Sequence, residues 1–541
     1  MIYMKRIYNK IIVITVVLAL GFVTGCEKLE VENLNQPDIA TVLGSPDDVR
    51  TAVQSAYLSM WESMKLYTVN MPATVAANHA TASWGNFAWL DSGQEPRRPW
   101  NNDPSYGDAD LTETPYENFY ATISQVNDAL FLINIEDMQI GPNGRDNDMV
   151  LASSYLIRGI SLGQLGVAFD QAMIPYEDSD LALLEFQPWN EVIEAGINDL
   201  LTAINIASTA DAFSMPSATL PGHTVNNNFI IELANSYAAR FLAHGSRTKA
   251  QNDDNISWSS YGWNDVLTFA ENGLTSDFAP TGDGLPWEGG TWWDLNIKYL
   301  RNPGWARIHP RVIKLMDPLH WTRYPTDDLG LPLSVENPNF NNPHGPDADP
   351  GIAFSDDARL LTDFQYLPSN NFPADRGGWF YSHYRQSRYD FPASTNDDGL
   401  FMGESLGPLR EFRAYDVKLL QAEAMVRTGN VAGALAILND SNNERKSRGQ
   451  LPVVETTNPD EVLDIIFYER DIELANNGWM IHFGDMRRRD FLQQGTPLHY
   501  PVPGSELEAL GLPIYTFGGF NNADGVNTSD GGDWIKPYYH F

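Results

Sequence analysis

Tryptophans in stretches without a helical pattern are the residues of this sequence best suited to binding chemistry. The chain contains 15 tryptophans, and ten of them fall within residues 84–100 and 258–321. An indole can stack on the flat C–H face of a sugar ring, and it loses little entropy because it has two side-chain torsions. We expect at least two of six candidates to line a ligand site; the alternative is that they pack loops onto the scaffold. The candidates are Trp84, Trp89, Trp100, Trp292, Trp293 and Trp305.

Two consecutive arginines, Arg97 and Arg98, lie beside the first group of tryptophans. A guanidinium can bind a carboxylate with two parallel hydrogen bonds. Arg97 is therefore a further candidate for ligand binding, toward an acidic sugar or another carboxylate. The alternative is that the pair bridges to nearby acidic side chains of the same protein.

Patterns associated with catalysis or metal binding are weak. Residues 403–407 have the spacing of a nucleophile elbow, but that motif needs a strand before it and a helix directly after it, and Pro408 follows here. The ten histidines include no His-Glu-x-x-His motif, so a catalytic zinc site is not predicted. Asp347 and Asp349 could hold calcium through carboxylate oxygens. The alternative is that both are solvated acidic residues of a turn that bind no ion. We therefore expect no catalytic residues and no obligatory cofactor.

The only cysteine of the chain, Cys26, ends a segment typical of an exported lipoprotein. Basic residues precede an apolar run over residues 11–20, which is too short to span a bilayer comfortably. Residues 23–26, Val-Thr-Gly-Cys, have the form of a lipobox, in which the thiol carries the lipid. We predict a signal peptide over residues 1–25, lipidation at Cys26 and an extended tether over residues 26–44. The alternative is an ordinary signal peptide that happens to contain a cysteine.

The charge of the chain is strongly negative. The formal net charge is −35, from 35 basic and 70 acidic residues. Removing residues 1–25, which contain three basic residues and no acids, changes it to 32 − 70 = −38. Such an excess repels nucleic acid and anionic lipid, so neither is expected as a partner, whereas a neutral ligand is compatible with it.

Helical and loop-like patterns alternate along the mature chain. Apolar residues at helical spacing predict a helical region over residues 45–275, with a loop at 71–115. Residues 276–410 are rich in Pro, Gly, Asn and Asp, and we interpret them as a folded, loop-rich ligand-binding insertion with short strands, such as Trp379–Tyr384. Helices return in residues 411–541. The predicted fold is mainly α, built from helical hairpins of tetratricopeptide type.

Four segments carry a resemblance to a known family. The first is the lipobox with its tether, and the second is residues 154–175, which contain Ser-Tyr-Leu-Ile-Arg-Gly and end at Ile-Pro. The third is residues 413–434, which contain Arg-Ala-Tyr-Asp-Val-Lys-Leu-Leu-Gln-Ala-Glu-Ala and then Gly429-Asn430. The fourth is residues 469–507, which contain Glu-Arg-Asp-Ile-Glu-Leu-Ala, Asp-Met-Arg-Arg and Tyr-Pro-Val-Pro-Gly-Ser-Glu-Leu. On these motifs the chain resembles the SusD/RagB family of outer-membrane nutrient-uptake lipoproteins.

This resemblance implies both a fold and a function. It implies a helical scaffold that sits as a lid on a SusC-like TonB-dependent transporter, anchored by lipid in the outer membrane and facing the cell surface. It also implies capture of an oligomeric nutrient, most often a glycan; a peptide, as in RagB-like relatives, is the alternative ligand. A surface glycan hydrolase and a scaffold that binds only protein are the remaining alternatives. The motif position of Arg487, Arg488 and Arg489 suggests pairing with acids, with Glu423 and Glu469 as candidate partners.

Overall fold

The computed structural model describes residues 43–370, 372–389 and 405–534. Cys26, the signal peptide and almost all of the tether therefore lie outside the described residues. Within these ranges the chain is mainly helical, as the sequence predicted, and its strands are two or three residues long. None of these helices combines the length and apolar character needed to cross a bilayer.

Helices occur in the N-terminal part of the chain, in the insertion and in the C-terminal part. In the N-terminal part they are α1 (Pro46–Lys65), α2 (Asn70–Ala76), α3 (Trp89–Gly93), α4 (Asp110–Asn134), α5 (Asn147–Ala168), α6 (Trp189–Thr209), α7 (Asn227–Gly245), α8 (Lys249–Asp253) and α9 (Trp263–Glu271). The remainder are α10 (Leu295–Arg301), α11 (Pro310–Met316), α12 (Arg359–Thr362), α13 (Ala414–Arg427), α14 (Val431–Leu438), α15 (Glu444–Ser447), α16 (Pro459–Glu473), α17 (Ile481–Arg487) and α18 (Gly504–Ala509).

The described residues contain four short antiparallel pairs of strands, and each pair joins two separate segments of the chain. The strands are β1 (Ala80–Thr81), β2 (Gln171–Ala172), β3 (Gln187–Pro188), β4 (Thr281–Asp283), β5 (Arg307–Ile308), β6 (Phe364–Tyr366), β7 (Tyr384–Gln386) and β8 (Leu406–Pro408). The pairs are β1 with β5, β2 with β3, β4 with β8, and β6 with β7. The pairing of β1 with β5 places residues of the first loop region beside the insertion.

Helix α1 begins where its sequence predicts. The Ser45 hydroxyl accepts the backbone N–H of Asp48, and Pro46 occupies the first helical position. Its apolar stripe, which includes Val53 and Tyr57, is fully buried in the main core. That core also receives residues of α4 to α7 and C-terminal residues such as Phe483, so the two ends of the chain fold as one unit.

Close packing of α5 on α6 depends on two glycines. A Cβ atom added to Gly159 would lie 2.7 Å from the carbonyl oxygen of Gly196, and one added to Gly196 would lie 2.7 Å from the carbonyl oxygen of Gly159. Any larger residue would separate the helices, because these contacts are to backbone atoms that cannot move aside. Gly159 belongs to the second of the four segments that resemble the family, so a packing requirement accounts for it there.

The tetratricopeptide-type hairpin predicted in the C-terminal region is present as α13 and α14. Gly429 adopts φ +89° between the helices, and the Asn430 side chain caps α14 by accepting the N–H of Gly433. Ala422 and Ala434 are both fully buried in the core between these helices. The small residues therefore set the close approach of the two helices.

Two local predictions were wrong. Residues 71–115 were predicted as a loop, but they contain most of α2, all of α3 and the start of α4; α2 and α3 have seven and five residues, too few for a helical stripe. Trp379–Tyr384 was predicted as a strand, but β7 begins only at Tyr384. Gly377, at φ +118°, and a single helical turn over residues 378–380 interrupt the extended backbone.

The arginine run of α17 is structural, as its motif position suggested. Arg488 binds Glu423 with two parallel hydrogen bonds of 2.6 and 2.7 Å, which confirms that predicted pair. Arg487 instead donates to backbone carbonyls, and Arg489 donates to the carbonyl of Asp485. All three arginines are buried.

The predicted pairing of Glu469 with this run was wrong. Glu469 accepts from Arg359 at 2.7 Å and from Arg445 at 3.2 Å. Arg359 belongs to the insertion, at the start of α12, and its burial against α16 occupies the carboxylate that the sequence offered to α17. A partner from so distant a segment could not be identified from sequence spacing.

A continuous series of buried charges crosses the molecule, and we call it the buried ion-pair chain. Its members, in order, are Asp485, Arg470, Asp416, Arg240, Glu411, Lys65 and Asp294. The successive nitrogen–oxygen distances are 2.7, 2.6, 2.8, 3.2, 2.6 and 3.0 Å. It connects α17, α16, α13, α7 and α1 to Asp294, the residue that caps α10.

The buried ionisable groups predict how stability depends on pH. Burial lowers the pKa of His79, His244 and His320 from 6.5 to about 4 each. The unfolded chain takes up these protons below pH 6.5 whereas the folded chain does not, so the free energy of unfolding should fall as pH decreases from 6.5 to 4. Urea titrations at pH 7.0, 5.5 and 4.5 measure this. Equal free energies of unfolding at all three pH values would contradict the burial of neutral histidines.

Candidate functional site

The structure gathers five aromatic side chains into a half-buried cluster, which we call the aromatic platform. Its members are Tyr67, Trp84, Phe87, Tyr299 and Trp305. The ring centroid of Tyr299 lies 4.9 Å from that of Phe87 and 5.2 Å from that of Trp305. The Trp84 indole N–H donates to the Gly304 carbonyl at 2.8 Å, which joins it to the loop of Trp305. Such rings offer an apolar surface to a ligand while their undersides stay fixed by packing.

The loop that presents Phe87 is strained and is held from one side. Phe87 and Ala88 both adopt the left-handed backbone conformation, at φ +58° and +50°. For residues other than glycine this conformation costs on the order of 1–3 kcal/mol each and tends to occur at functional sites. The carboxylate of Asp108 accepts the backbone N–H groups of both residues, at 3.1 and 2.9 Å. Asp108 therefore fixes the orientation of the Phe87 ring.

Helix α10, which carries Tyr299, is fixed by a buried carboxylate. The Asp294 side chain caps α10 by accepting the N–H of Ile297 at 2.9 Å. The same carboxylate group pairs with Lys65 at 3.0 Å, at the end of the buried ion-pair chain. Burial alone lowers the pKa of Lys65, but Asp294 and Glu411 raise it above its ordinary value, so its charge is retained. The platform is thus held at the Phe87 loop by Asp108 and at α10 by Asp294.

Trp89, Trp292 and Trp293, three of the six candidate tryptophans, are buried in this structure. Trp89 is fully buried, and Trp292 and Trp293 are each only 5% exposed. The ring of Trp292 lies 5.9 Å from that of Trp61, and the carbonyl of Trp293 accepts the Trp61 indole N–H at 2.7 Å. Their ring faces are covered by protein, so their burial favours the packing alternative over ligand stacking.

Trp100 lies away from the aromatic platform. It is 6% exposed, and its ring packs at about right angles on Tyr106 and Tyr500, at 5.9 and 5.0 Å. Together with Arg97 and Arg98 it lines a very small cleft. Of the candidate tryptophans, only Trp84 and Trp305 are therefore brought together in a half-exposed cluster. Sequence reasoning missed Tyr67, Phe87 and Tyr299, because single Tyr and Phe residues carry no distinguishing pattern.

Arg97 is buried, and its side-chain hydrogen bonds go to uncharged groups. Its guanidinium donates to the Asn78 side chain at 2.6 Å and to backbone carbonyls. Burial lowers its pKa to about 10. Arg98 instead pairs with Asp91 at the surface, at 3.2 Å, which is the alternative foreseen for this arginine pair. Arg97 therefore positions the loop after α3 in this structure.

The structure does not support the calcium candidates. Asp347 and Asp349 are exposed, and in the described residues they are not part of a group of three possible ligands. The group found there is His79, Asp471 and His482. The two imidazoles stack face to face with centroids 3.4 Å apart, so their in-plane lone pairs run parallel instead of converging on one ion. Asp471 is also paired with an arginine, which disfavours a cation.

The serine of the elbow pattern is not arranged as a nucleophile. Ser405 is fully buried, and its hydroxyl oxygen accepts the backbone N–H of Asp294 at 3.3 Å. Gly403 and Glu404 lie outside the described residues. The residues that follow form strand β8, whereas a nucleophile elbow requires a helix at this point. Ser405 therefore supports the start of α10.

A second candidate surface is a groove beside α4, which we call the α4 groove. It has a volume of about 640 Å³, within the range of small-molecule sites. Its walls include Tyr120, Phe131 and Phe186, and its rim carries carboxylates, among them Asp128 and Glu506. Burial raises the pKa of both carboxyl groups, as does the proximity of other acids for Glu506. The groove therefore combines an apolar floor with a negative rim.

Replacing Asp108 with Ala tests the support of the Phe87 loop. The change leaves two backbone N–H groups without their acceptor, so we expect a loss of about 1–3 kcal/mol in the free energy of unfolding. Urea denaturation measures this. Asp103→Ala, in the same loop, is the control, because Asp103 is exposed and contacts only its own turn. Equal stability of both variants would contradict the role assigned to Asp108.

Comparison with known proteins identifies the fold. No protein-family model and no curated protein sequence matches the chain. Among solved structures, it is similar to a SusD-like carbohydrate binding protein from Bacteroides vulgatus, with TM-score 0.52, 14% identity, and coverage of 92% of this chain and 95% of that one. It is also similar to surface glycan-binding protein A from Bacteroides uniformis, with TM-score 0.52, 13% identity, and coverage of 87% and 99%. The protein therefore has the SusD-like fold, in agreement with the resemblance of its sequence motifs.

Proposed function

We propose that the protein binds an oligosaccharide on the aromatic platform and does not change it chemically. The observation that carries this proposal is the half-buried cluster of Tyr67, Phe87, Tyr299 and Trp305 beside a strained, carboxylate-held loop. Sugar rings present C–H faces that stack on such rings, and the rings are fixed before the ligand arrives. The two structural relatives, a SusD-like carbohydrate binding protein and surface glycan-binding protein A, support the same ligand class.

The proposal extends to the cellular role that the sequence resemblance implies. The protein is attached by a lipid on Cys26 to the outer membrane, at the cell surface, and delivers its ligand to a SusC-like TonB-dependent transporter. The supporting observations are the lipobox, the tether over residues 26–44 and the SusD-like fold. Lipidation at Cys26 would fix that end of the protein at the membrane, beside a transporter in the same membrane.

A peptide is the second candidate ligand, and the α4 groove favours it. Apolar side chains such as Phe131 could accept an aliphatic residue, and the carboxylates of Asp128 and Glu506 could accept a basic one. In the described part of the chain, neither carboxylate has a hydrogen bond or an ion pair. The two candidate functions therefore use different surfaces, and this makes them separable.

Isothermal titration with a panel of plant and algal oligosaccharides tests the proposal. We expect Trp305→Ala to weaken binding of the ligand by about tenfold, since a stacked aromatic ring contributes roughly 0.5–1.5 kcal/mol beyond its buried area. Trp84→Ala should weaken it in the same direction. Far-ultraviolet circular dichroism should show that both variants remain folded.

The matched control is Phe131→Ala, which removes a half-exposed ring from the α4 groove instead. It should leave glycan affinity unchanged. Loss of glycan binding in Phe131→Ala but not in Trp305→Ala would move the site to the groove. Binding of peptides with no heat from any glycan would replace the ligand class, and release of new reducing ends would show an enzyme.

A further inference from the structure

Lys298 is a buried amine without a hydrogen-bond partner at the edge of the aromatic platform. Its side chain lies on α10, next to Tyr299, and is 1% exposed. In the described part of the chain its Nζ atom makes no hydrogen bond. The nearest favourable contacts are aromatic: Nζ lies 4.0 Å from the ring centroid of Trp287 and 5.6 Å from that of Tyr299. A buried ammonium is costly unless an anion or several acceptors surround it, and cation–π contacts offset only part of that cost.

Comparison with another buried lysine shows that this lack of partners is not general in the protein. Lys65 is equally buried, but its Nζ lies 2.6 Å from Glu411 and 3.0 Å from Asp294. The charge of Glu288 favours the protonated form of Lys298, but Glu288 is exposed and makes no ion pair with it in the described residues. Burial lowers the pKa of Lys298 to about 8, which reflects this incomplete compensation.

Two further cations near the platform, Arg307 and Arg376, have no carboxylate partner in the described residues. Arg307 follows the loop of Trp305, and its guanidinium donates only to backbone carbonyls, those of Pro303, Ser369 and Ser382. Arg376 donates to the carbonyl of Ser83, beside Trp84. Neither arginine has an ion pair within the described residues. Lys298, Arg307 and Arg376 are therefore three cations near the platform that make no ion pair in the described residues of a chain whose net charge is −35.

The side chain that covers Lys298 is itself exposed. Trp287 is 53% exposed and lies in a single helical turn that ends at Gly289, which adopts φ +88°. Its ring is thus held on one side only, over the ammonium group. Displacement of this one ring would bring Nζ to the surface at the edge of the platform, where a ligand stacked on Tyr299 would lie.

We propose that Lys298 binds an anionic group of the ligand, so that the oligosaccharide taken by the aromatic platform is an acidic one. This inference rests on the proposed glycan-binding function and specifies its ligand class. The anionic group is a uronate carboxylate or a sulfate ester, since both accept charge-assisted hydrogen bonds from an ammonium. Trp287 serves two purposes, covering the ammonium in the free protein and stacking on the sugar in the complex.

The test compares each anionic ligand with a neutral ligand of the same backbone. Tetragalacturonate is compared with its fully methyl-esterified form, and a sulfated carrageenan tetrasaccharide with its desulfated form. We expect the wild-type protein to bind at least one anionic ligand about tenfold more tightly than its neutral counterpart, as for one charge-assisted contact. Lys298→Met should remove this preference and leave binding of the neutral ligand unchanged, whereas Lys298→Arg should retain part of it.

Lys418→Met is the matched control, because it removes the same charge from α13, where Lys418 contacts Asn443. It should leave the preference intact. The anionic ligand whose affinity falls in Lys298→Met identifies the recognised group as the carboxylate or the sulfate. Equal affinity of the wild-type protein for each anionic ligand and its neutral counterpart, or an unchanged preference in folded Lys298→Met, would overturn the inference.

The outcomes also separate this inference from the proposed function. Binding of neutral glycans that is lost in Trp305→Ala, without any preference for acidic ligands, would leave the proposed function standing and refute the role of Lys298. Absence of binding for every glycan tested would refute both.

Discussion

The buried ion-pair chain is the constraint on which the rest of the structure depends. Seven charged side chains, beginning at Asp485 and ending at Asp294, alternate in sign across five helices and reach the cap of α10. Removing one member of such a series leaves a buried charge without its partner, which typically costs about 3–5 kcal/mol, roughly a fifth or more of the stability of a domain. Apolar packing brings these helices together, and the charges specify their relative positions. The platform residue Tyr299 is therefore held by interactions that extend to the opposite end of the chain.

The helical part of the fold could be predicted because it depends on local patterns. Ser45 and Pro46 mark the start of α1, and Gly429 with Asn430 marks the hairpin of α13 and α14; each signal acts within a few residues. The pairing of Arg488 with Glu423 also followed from motif positions. The partner of Glu469 did not, because Arg359 arrives from the insertion through tertiary packing alone.

The candidate site was predicted in region but not in detail. Clustering of tryptophans indicated these loops, and Trp84 and Trp305 both belong to the aromatic platform. The sequence could not show that Trp89 and Trp293 face inward, since loops lack the periodicity that separates buried from exposed positions. The left-handed conformation of Phe87 and its support by Asp108 are equally invisible in the sequence, because they arise from contacts between loop residues 20 and 21 positions apart.

The apolar surface of the platform and the charges near it together indicate the class of ligand that it suits. The rings of the platform offer surfaces for stacking, and Lys298 and Arg307 near them make no ion pair in the described residues of this acidic protein. The most direct measurement is a crystal structure of the protein with an oligosaccharide that binds in solution. The account predicts sugar rings stacked about 4 Å from Trp305 and Tyr299. Sugar density in the α4 groove, with the aromatic platform unoccupied, would contradict it.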